Sequence, residues 1–128
     1  MSYKLTITQK PQYLHVVVTG LNTKENVARY IEDIRRECSV RDCFLVLIEE
    51  RLEGPRLSTA DVFQIIAEES KQPRANFAAI AYVDVNAEGD LMKFAETVAV
   101  NRGFPVRVFS SIRDAKKWLL SKDRDDTV

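Results

Sequence analysis

Two apolar runs constrain this chain more than anything else in it. CFLVLI (43–48) and FAAIAYVDV (77–85) are hydrophobic at successive positions rather than at alternate ones. A strand of that kind is apolar on both faces, as a central strand of a parallel sheet must be. Between them lies LSTADVFQIIAEE (57–69), whose Val62, Phe63, Ile65, Ile66 and Ala67 form one apolar side of a helix. Strand, helix, strand in that order requires a parallel pair joined by a right-handed crossover.

The rest of the chain extends the same alternation. Residues 3–8 alternate apolar Tyr3, Leu5 and Ile7 with polar Lys4, Thr6 and Thr8, the pattern of a half-exposed edge strand. Residues 13–19 (YLHVVVT) are β-branched and nearly continuous, and Pro11 in the short link before them makes the two strands an antiparallel hairpin. A helix is predicted over 23–38, with Val27, Tyr30, Ile31, Ile34 and Cys38 on its apolar face and Asn22 or Thr23 as its N-cap. Residues 49–57 read as a mixed loop. A third helix is predicted over 91–102 with Gly103 just past its end, then an edge strand over 105–110. Ser111 and Asp114 open a last helix bearing Ala115, Trp118 and Leu119. The order is β-β-α-β-α-β-α-β-α: an α/β fold with a mixed, mostly parallel five-stranded sheet and four helices. One domain is expected over residues 1–121, with a polar, frayed tail over 122–128.

Composition narrows the function classes. The chain has 128 residues, 45% hydrophobic and 30% charged, which is ordinary for one globular domain. Nineteen basic residues balance nineteen acidic ones, so no overall field draws it to nucleic acid or to an anionic membrane. No apolar stretch approaches the ~20 residues that span a bilayer, and the first ten residues do not read as a signal peptide. A cytoplasmic location is the default expectation. Cys38 and Cys43 lack the partners of a zinc site and read as reduced thiols in or near the core.

Candidate chemistry is sparse. No glycine-rich phosphate loop, nucleophile elbow or metal-protease motif is present, and no cofactor is implied. His15, the one histidine, sits inside a strand and reads as structural. Glu49, Glu50 and Glu53 form an acidic cluster that reads as solvated loop charge rather than a cation site. Arg102, Arg107, Arg113, Lys116 and Lys117 read as a solvated face. In an open parallel sheet, ligands and partners meet the carboxyl ends of the strands, most often where the winding reverses. Those ends supply a ligand rim of Asn22, Asp84, Asn86 and Ser110. They also supply Arg56, Leu57, Ser58 and Thr59 ahead of the second helix. Ser58 is placed as an N-cap there. A phosphoryl group on it would meet free backbone N–H groups and add about two negative charges.

YLHVVVTG followed by a helix, then CFLVLIEE, a loop and LSTADVF, and finally PVRVFSSIRDAKKWLL, together resemble the STAS family. These are the anti-sigma-factor antagonist, or SpoIIAA-like, domains. The resemblance runs from Tyr3 to about Ser121. It implies a non-enzymatic bacterial regulatory or protein-interaction module, with a kinase or an anti-sigma-like regulator as partner. It places Ser58 where such antagonists carry a phosphorylated serine, and Thr59 at its neighbour. Leu57 stands in place of the family's Asp, and Ala60 in place of its Gly. The alternative is a small-molecule or lipid-binding domain of the same fold, which needs an apolar cavity between helix and sheet. An enzyme would require titratable groups gathered around Glu49, Asp84 and Asn86. The edge strand and final helix offer surfaces for a homodimer.

Overall fold

The computed structural model describes residues 3–69, 71, 77–84, 89–103 and 105–125. Its elements are β1 (Tyr3–Gln9), β2 (Leu14–Leu21), α1 (Lys24–Arg41), β3 (Leu45–Glu53) and α2 (Thr59–Glu69). These are followed by β4 (Ala79–Val83), α3 (Asp90–Asn101), β5 (Val106–Phe109) and α4 (Ile112–Asp125). The strands form one sheet in the order β1-β2-β3-β4-β5. β1 is antiparallel to β2, and β2 to β5 are mutually parallel. The two doubly apolar runs are adjacent inner strands, and β1 and β5 are the edges, as their alternation predicts.

Spatial order equals sequence order, so every crossover steps the same way. Right-handed connections that all step one way put α1, α2 and α3 on one face of the sheet and leave the other to α4. Leu14, Val16 and Val18 of β2, Val46 and Ile48 of β3 and Ile80 of β4 pack with Tyr30, Ile34 and Cys38 of α1. On the opposite face Leu45, Leu47, Ala79, Ala81 and Val83 pack with Ala115 and Leu119 of α4. The small alanines of β4 let α4 approach closely. Trp118 lies against Phe109 with ring centroids 5.7 Å apart, half-buried and packed against the core rather than inside it. The winding never reverses, so the sheet lacks the switch point at which a ligand is most often found.

Three boundaries differ from the sequence reading by three residues or more. The strand expected to end at Ile48 continues to Glu53, because its ladder with β2 runs on to the pair Leu21 and Glu53. Backbone pairing outweighs the low strand preference of glutamate here. Helix α1 continues past Cys38 to Arg41, and α4 continues past Ser121 to Asp125. Of the two N-cap candidates for α1, Thr23 caps it, accepting the Asn26 N–H at 3.1 Å. Both cysteines are free thiols, and burial pushes the Cys38 thiol up to about 12.

The helices are tied to one another by charge. Arg35 falls on the polar side of α1 by sequence, yet it is buried. Its Nη1 lies 2.6 Å from the buried Glu69 carboxylate of α2, and its guanidinium sits 5.3 Å over the Phe77 ring. A planar guanidinium can pair in its own plane and stack on its face at once, which lysine cannot do.

Helix α1 ends at Asp42, whose φ of 52° is left-handed while its N–H meets the Cys38 and Ser39 carbonyls. A side chain strains that conformation and glycine does not. Asp42→Gly is therefore expected to raise unfolding stability by about 0.5 kcal/mol, part of the relief being lost to the greater freedom of the unfolded chain. Urea titration monitored by circular dichroism measures it, and a loss of stability would contradict this account of the helix end.

Candidate functional site

A cavity of about 120 Å³ lies between the sheet and the layer formed by α1, α2 and α3. Its body is apolar. Ile48, Ile80, Val106 and Val108 form the floor, Val27, Ile31 and Ile34 of α1 one wall, and Val62, Ile65 and Ile66 of α2 the next. Met92 and Ala95 of α3 close it. The polar groups are Asn22, Tyr30, Glu50, Arg56, Asp84 and Glu96 together with the Tyr82 hydroxyl.

Strand parity builds the polar end. On β3, Val46, Ile48, Glu50 and Leu52 point toward the three-helix layer, while Leu47, Glu49 and Arg51 point toward the α4 side. On β4, Ile80 and Tyr82 share the cavity face, and Asp84 follows just past the strand. Ile48 is paired in register with Tyr82, so two residues further on Glu50 and Asp84 come side by side. Below them the Tyr30 and Tyr82 hydroxyls meet at 2.9 Å. Burial pushes both phenols well above their usual range, so both stay neutral.

Burial likewise raises the Glu50 carboxyl, with the neighbouring Asp84 charge adding to the effect. The Leu52 N–H, donating to Glu50 Oε1 at 2.8 Å, and the Arg56 charge oppose it without cancelling it. Arg56 Nη1 stands 3.5 Å from each Asp84 oxygen, which is longer than a usual charge-assisted bond of about 2.8 Å. Asp84 itself is buried, and its backbone N–H is held by the Phe109 carbonyl at 3.0 Å. Glu96 reaches across from α3, its Oε2 accepting the Val108 N–H at 2.7 Å.

The structure gathers four of the sequence-predicted site residues at this cavity: Asn22, Arg56, Leu57 and Asp84. The Asn22 amide donates to the Pro55 carbonyl at 3.2 Å and fastens the end of β2 to the loop before α2. Ser58 and Thr59 are exposed at the mouth of α2. Ser58 is its N-cap, accepting the Asp61 N–H at 3.1 Å. Ser110 is exposed beyond β5 and is not among the lining residues. Asn86 lies outside the described residues.

Other candidates disperse. The acidic cluster is split, because Glu49 and Glu50 are neighbours on a strand and so face opposite sides of the sheet. Glu49 is buried on the α4 side, bonded to His15 Nε2 at 3.1 Å and to Arg51. Burial would raise its carboxyl, but the hydrogen bonds from His15 and Arg51 outweigh that and hold it below the usual range. His15 is thus a hydrogen-bond partner of the buried Glu49 carboxylate, beside the exposed Arg51. Arg102 stacks over Phe63 and Arg107 over Phe109, so the basic residues do not converge. Among the described residues, no three His, Cys, Asp or Glu side chains gather as a metal site, and no helix is long and apolar enough to cross a membrane.

The architecture matches a solved structure. An uncharacterised protein of the DUF3478 family from Shewanella loihica PV-4, described as having a SpoIIAA-like fold, superposes with a TM-score of 0.54. The match covers 92% of this chain and 94% of that one at 21% identity. The chain has a SpoIIAA-like fold. No protein-family model and no curated protein matches it.

In this SpoIIAA-like fold the residues that sequence reasoning missed are Glu50, Tyr82 and the hydroxyl of Tyr30. Tyr30 was legible only as one more member of an apolar stripe. Glu50 was read with its acidic neighbours as loop. The signal that separates it is parity: it is two residues beyond Ile48, and Tyr82 two beyond Ile80.

The raised Glu50 carboxyl has a measurable consequence. The folded state binds that proton more tightly than the unfolded chain, so this site favours folding most below the ordinary glutamate pKa of about 4.3 and loses that contribution as pH rises through the raised value. Glu50→Gln keeps the acceptor for Leu52 and removes the charge. It is expected to raise the Tm at pH 7, with the gain over the unsubstituted chain shrinking toward pH 4. A Tm difference that does not vary with pH would refute this description of Glu50.

Proposed function

We propose that this chain is a non-enzymatic binding module whose three-helix face holds a small, largely apolar molecule. One observation carries the reading: a cavity of about 120 Å³, hydrocarbon along its length, with hydroxyl, carboxyl and guanidinium groups confined to one end. That is the composition of a ligand site, in which apolar walls supply affinity and a few polar groups fix orientation. The volume is near the roughly 150 Å³ that admits benzene in an engineered apolar cavity. A six-membered ring or a chain of similar bulk fits; a long acyl chain does not fit whole.

The reading is tested by thermal denaturation with a panel of small ring and short-chain compounds. A ligand present at a hundred times its Kd should raise the Tm by about 10 °C for a chain of this length. Ala95→Leu projects added bulk into the cavity from α3 and should abolish that shift while the protein stays folded. A panel that leaves the Tm unmoved, or a variant that binds as well as the original, would defeat the reading.

A second reading is favoured by the exposure of Ser58 and Thr59 beside the cavity residues Arg56 and Leu57. In it the chain is a bacterial cytoplasmic regulatory module, docking a kinase or an anti-sigma-like regulator and switched by phosphorylation at Ser58. The SpoIIAA-like fold supports it at the level of architecture. A phosphoryl group at the start of α2 would be stabilised by the helix dipole and would stand beside Arg56. Ser58→Ala should cost about 1 kcal/mol through loss of the cap, whereas Ser58→Asp, a good N-cap, should cost far less. Phosphosite mapping after incubation with bacterial lysate and ATP decides the switch, and an unmodified Ser58 would count against it.

A further inference from the structure

The two edges of the sheet are finished differently, and the difference lies in their backbone hydrogen bonds. The Ile80 and Asp84 N–H groups donate to the Pro105 and Phe109 carbonyls, so the odd-numbered residues there face β4 and the Val106 and Val108 N–H groups point outward. Glu96 of α3 takes the Val108 N–H at 2.7 Å. β5 is also only four residues long, and short or covered edges are how sheets avoid unwanted pairing.

β1 has no such cover among the described residues. It is seven residues long, contains no proline and carries one charge, Lys4. The Lys10 N–H donates to the facing Tyr13 carbonyl, so that pair is a hydrogen-bonded one. Bonded pairs alternate along an antiparallel ladder, so Thr8, Thr6 and Lys4 bond to His15, Val17 and Thr19 of β2. Even-numbered residues of β2 then face β3, as the Asn22 N–H does in donating to the Glu53 carbonyl. By the same alternation the N–H and C=O groups of Tyr3, Leu5, Ile7 and Gln9 point outward from β1.

These outward groups are spaced symmetrically about Thr6, and that symmetry fits them to their own copy. Two chains related by a two-fold axis at Thr6 run antiparallel, with Leu5 facing Ile7 of the second copy and Tyr3 facing its Gln9. Every such pair is of the bonded kind, each residue giving an N–H and taking one. The side chains agree with this register. Leu5 and Ile7 are half-buried on the α1 side, so the seam continues the apolar layer beneath α1. On the other face the exposed Lys4 meets Thr8 of the second copy and Thr6 meets Thr6, so no like charges are opposed. We propose that β1 is a self-association edge, through which two copies pair antiparallel about Thr6 into one continuous sheet. Such a contact closes with two subunits. No β1 residue lines the cavity, so the contact is independent of any ligand held there.

Sedimentation velocity of the whole chain from micromolar to millimolar concentration is expected to show monomer converting to dimer and to nothing larger. Amide hydrogen exchange over the same range locates the contact. The Leu5 and Ile7 amides should slow with concentration more than those of Thr6 and Thr8, which β2 already holds. Thr6 is exposed, so charging it leaves the fold intact. Thr6→Lys alone and Thr6→Glu alone oppose like charges at the axis, and each should weaken dimerisation by roughly five-fold. An equimolar mixture of the two variants should restore it. A chain that stays monomeric at every concentration overturns the proposal and leaves the edge to an extended peptide of another protein. A dimer indifferent to the charge at Thr6, or one whose exchange protection lies elsewhere, overturns it equally.

Discussion

Everything in this molecule is referred to β3. It is the middle strand of five, hydrogen-bonded on both sides and covered on both faces. Its first half is apolar at every position, which fixes it inside. Its second half carries charge at almost every position, yet the ladder with β2 holds it extended to Glu53. A strand alternates faces at each residue. One rigid extension thus delivers Glu50 to the helix-covered cavity and Glu49 to the opposite face, where His15 and Arg51 meet it. Had the chain left the strand at Ile48, neither carboxylate would be held by the sheet.

The second constraint is handedness. Three crossovers stepping the same way must stack three helices on one face, and a sheet of five strands is wide enough that three helices can leave space between themselves and the floor. The other face receives α4 alone, which lies close because β4 presents alanines there. The asymmetry explains why the cavity is on the three-helix side. It also explains why the pocket sits beneath the helices, since a sheet wound one way has no crevice at a strand-order reversal.

Buried charge is handled differently at each place it occurs. Arg35 pairs with Glu69 between α1 and α2 and with Glu32 on its own helix, with Phe77 beneath the guanidinium, so removing Arg35 would leave the buried Glu69 carboxylate without its cation. Glu49 is satisfied by two cationic or hydrogen-bonding neighbours and ionises readily. Glu50 lies against another carboxylate and resists ionising. The same side chain, one residue apart, has opposite electrostatic character because the sheet puts it in two environments.

The fold was legible in the sequence because hydrophobic periodicity is local. Successive apolar residues in CFLVLI and FAAIAYV meant inner strands, alternation in residues 3–8 meant an edge, and Ser58 and Ser111 marked helix starts that the structure keeps. Asn22, Arg56, Leu57 and Asp84 could be named in advance because strand carboxyl ends are where an α/β sheet gathers loops. What the sequence by itself determined is therefore the order of elements and the sheet they form. Only the tertiary structure decided that Glu50 is inside, that Arg35 and Glu69 are buried together, and that Tyr30 and Tyr82 touch. Those facts depend on ladder length and register between segments far apart in the chain. A charged residue carries no local mark of which partner strand will extend beside it.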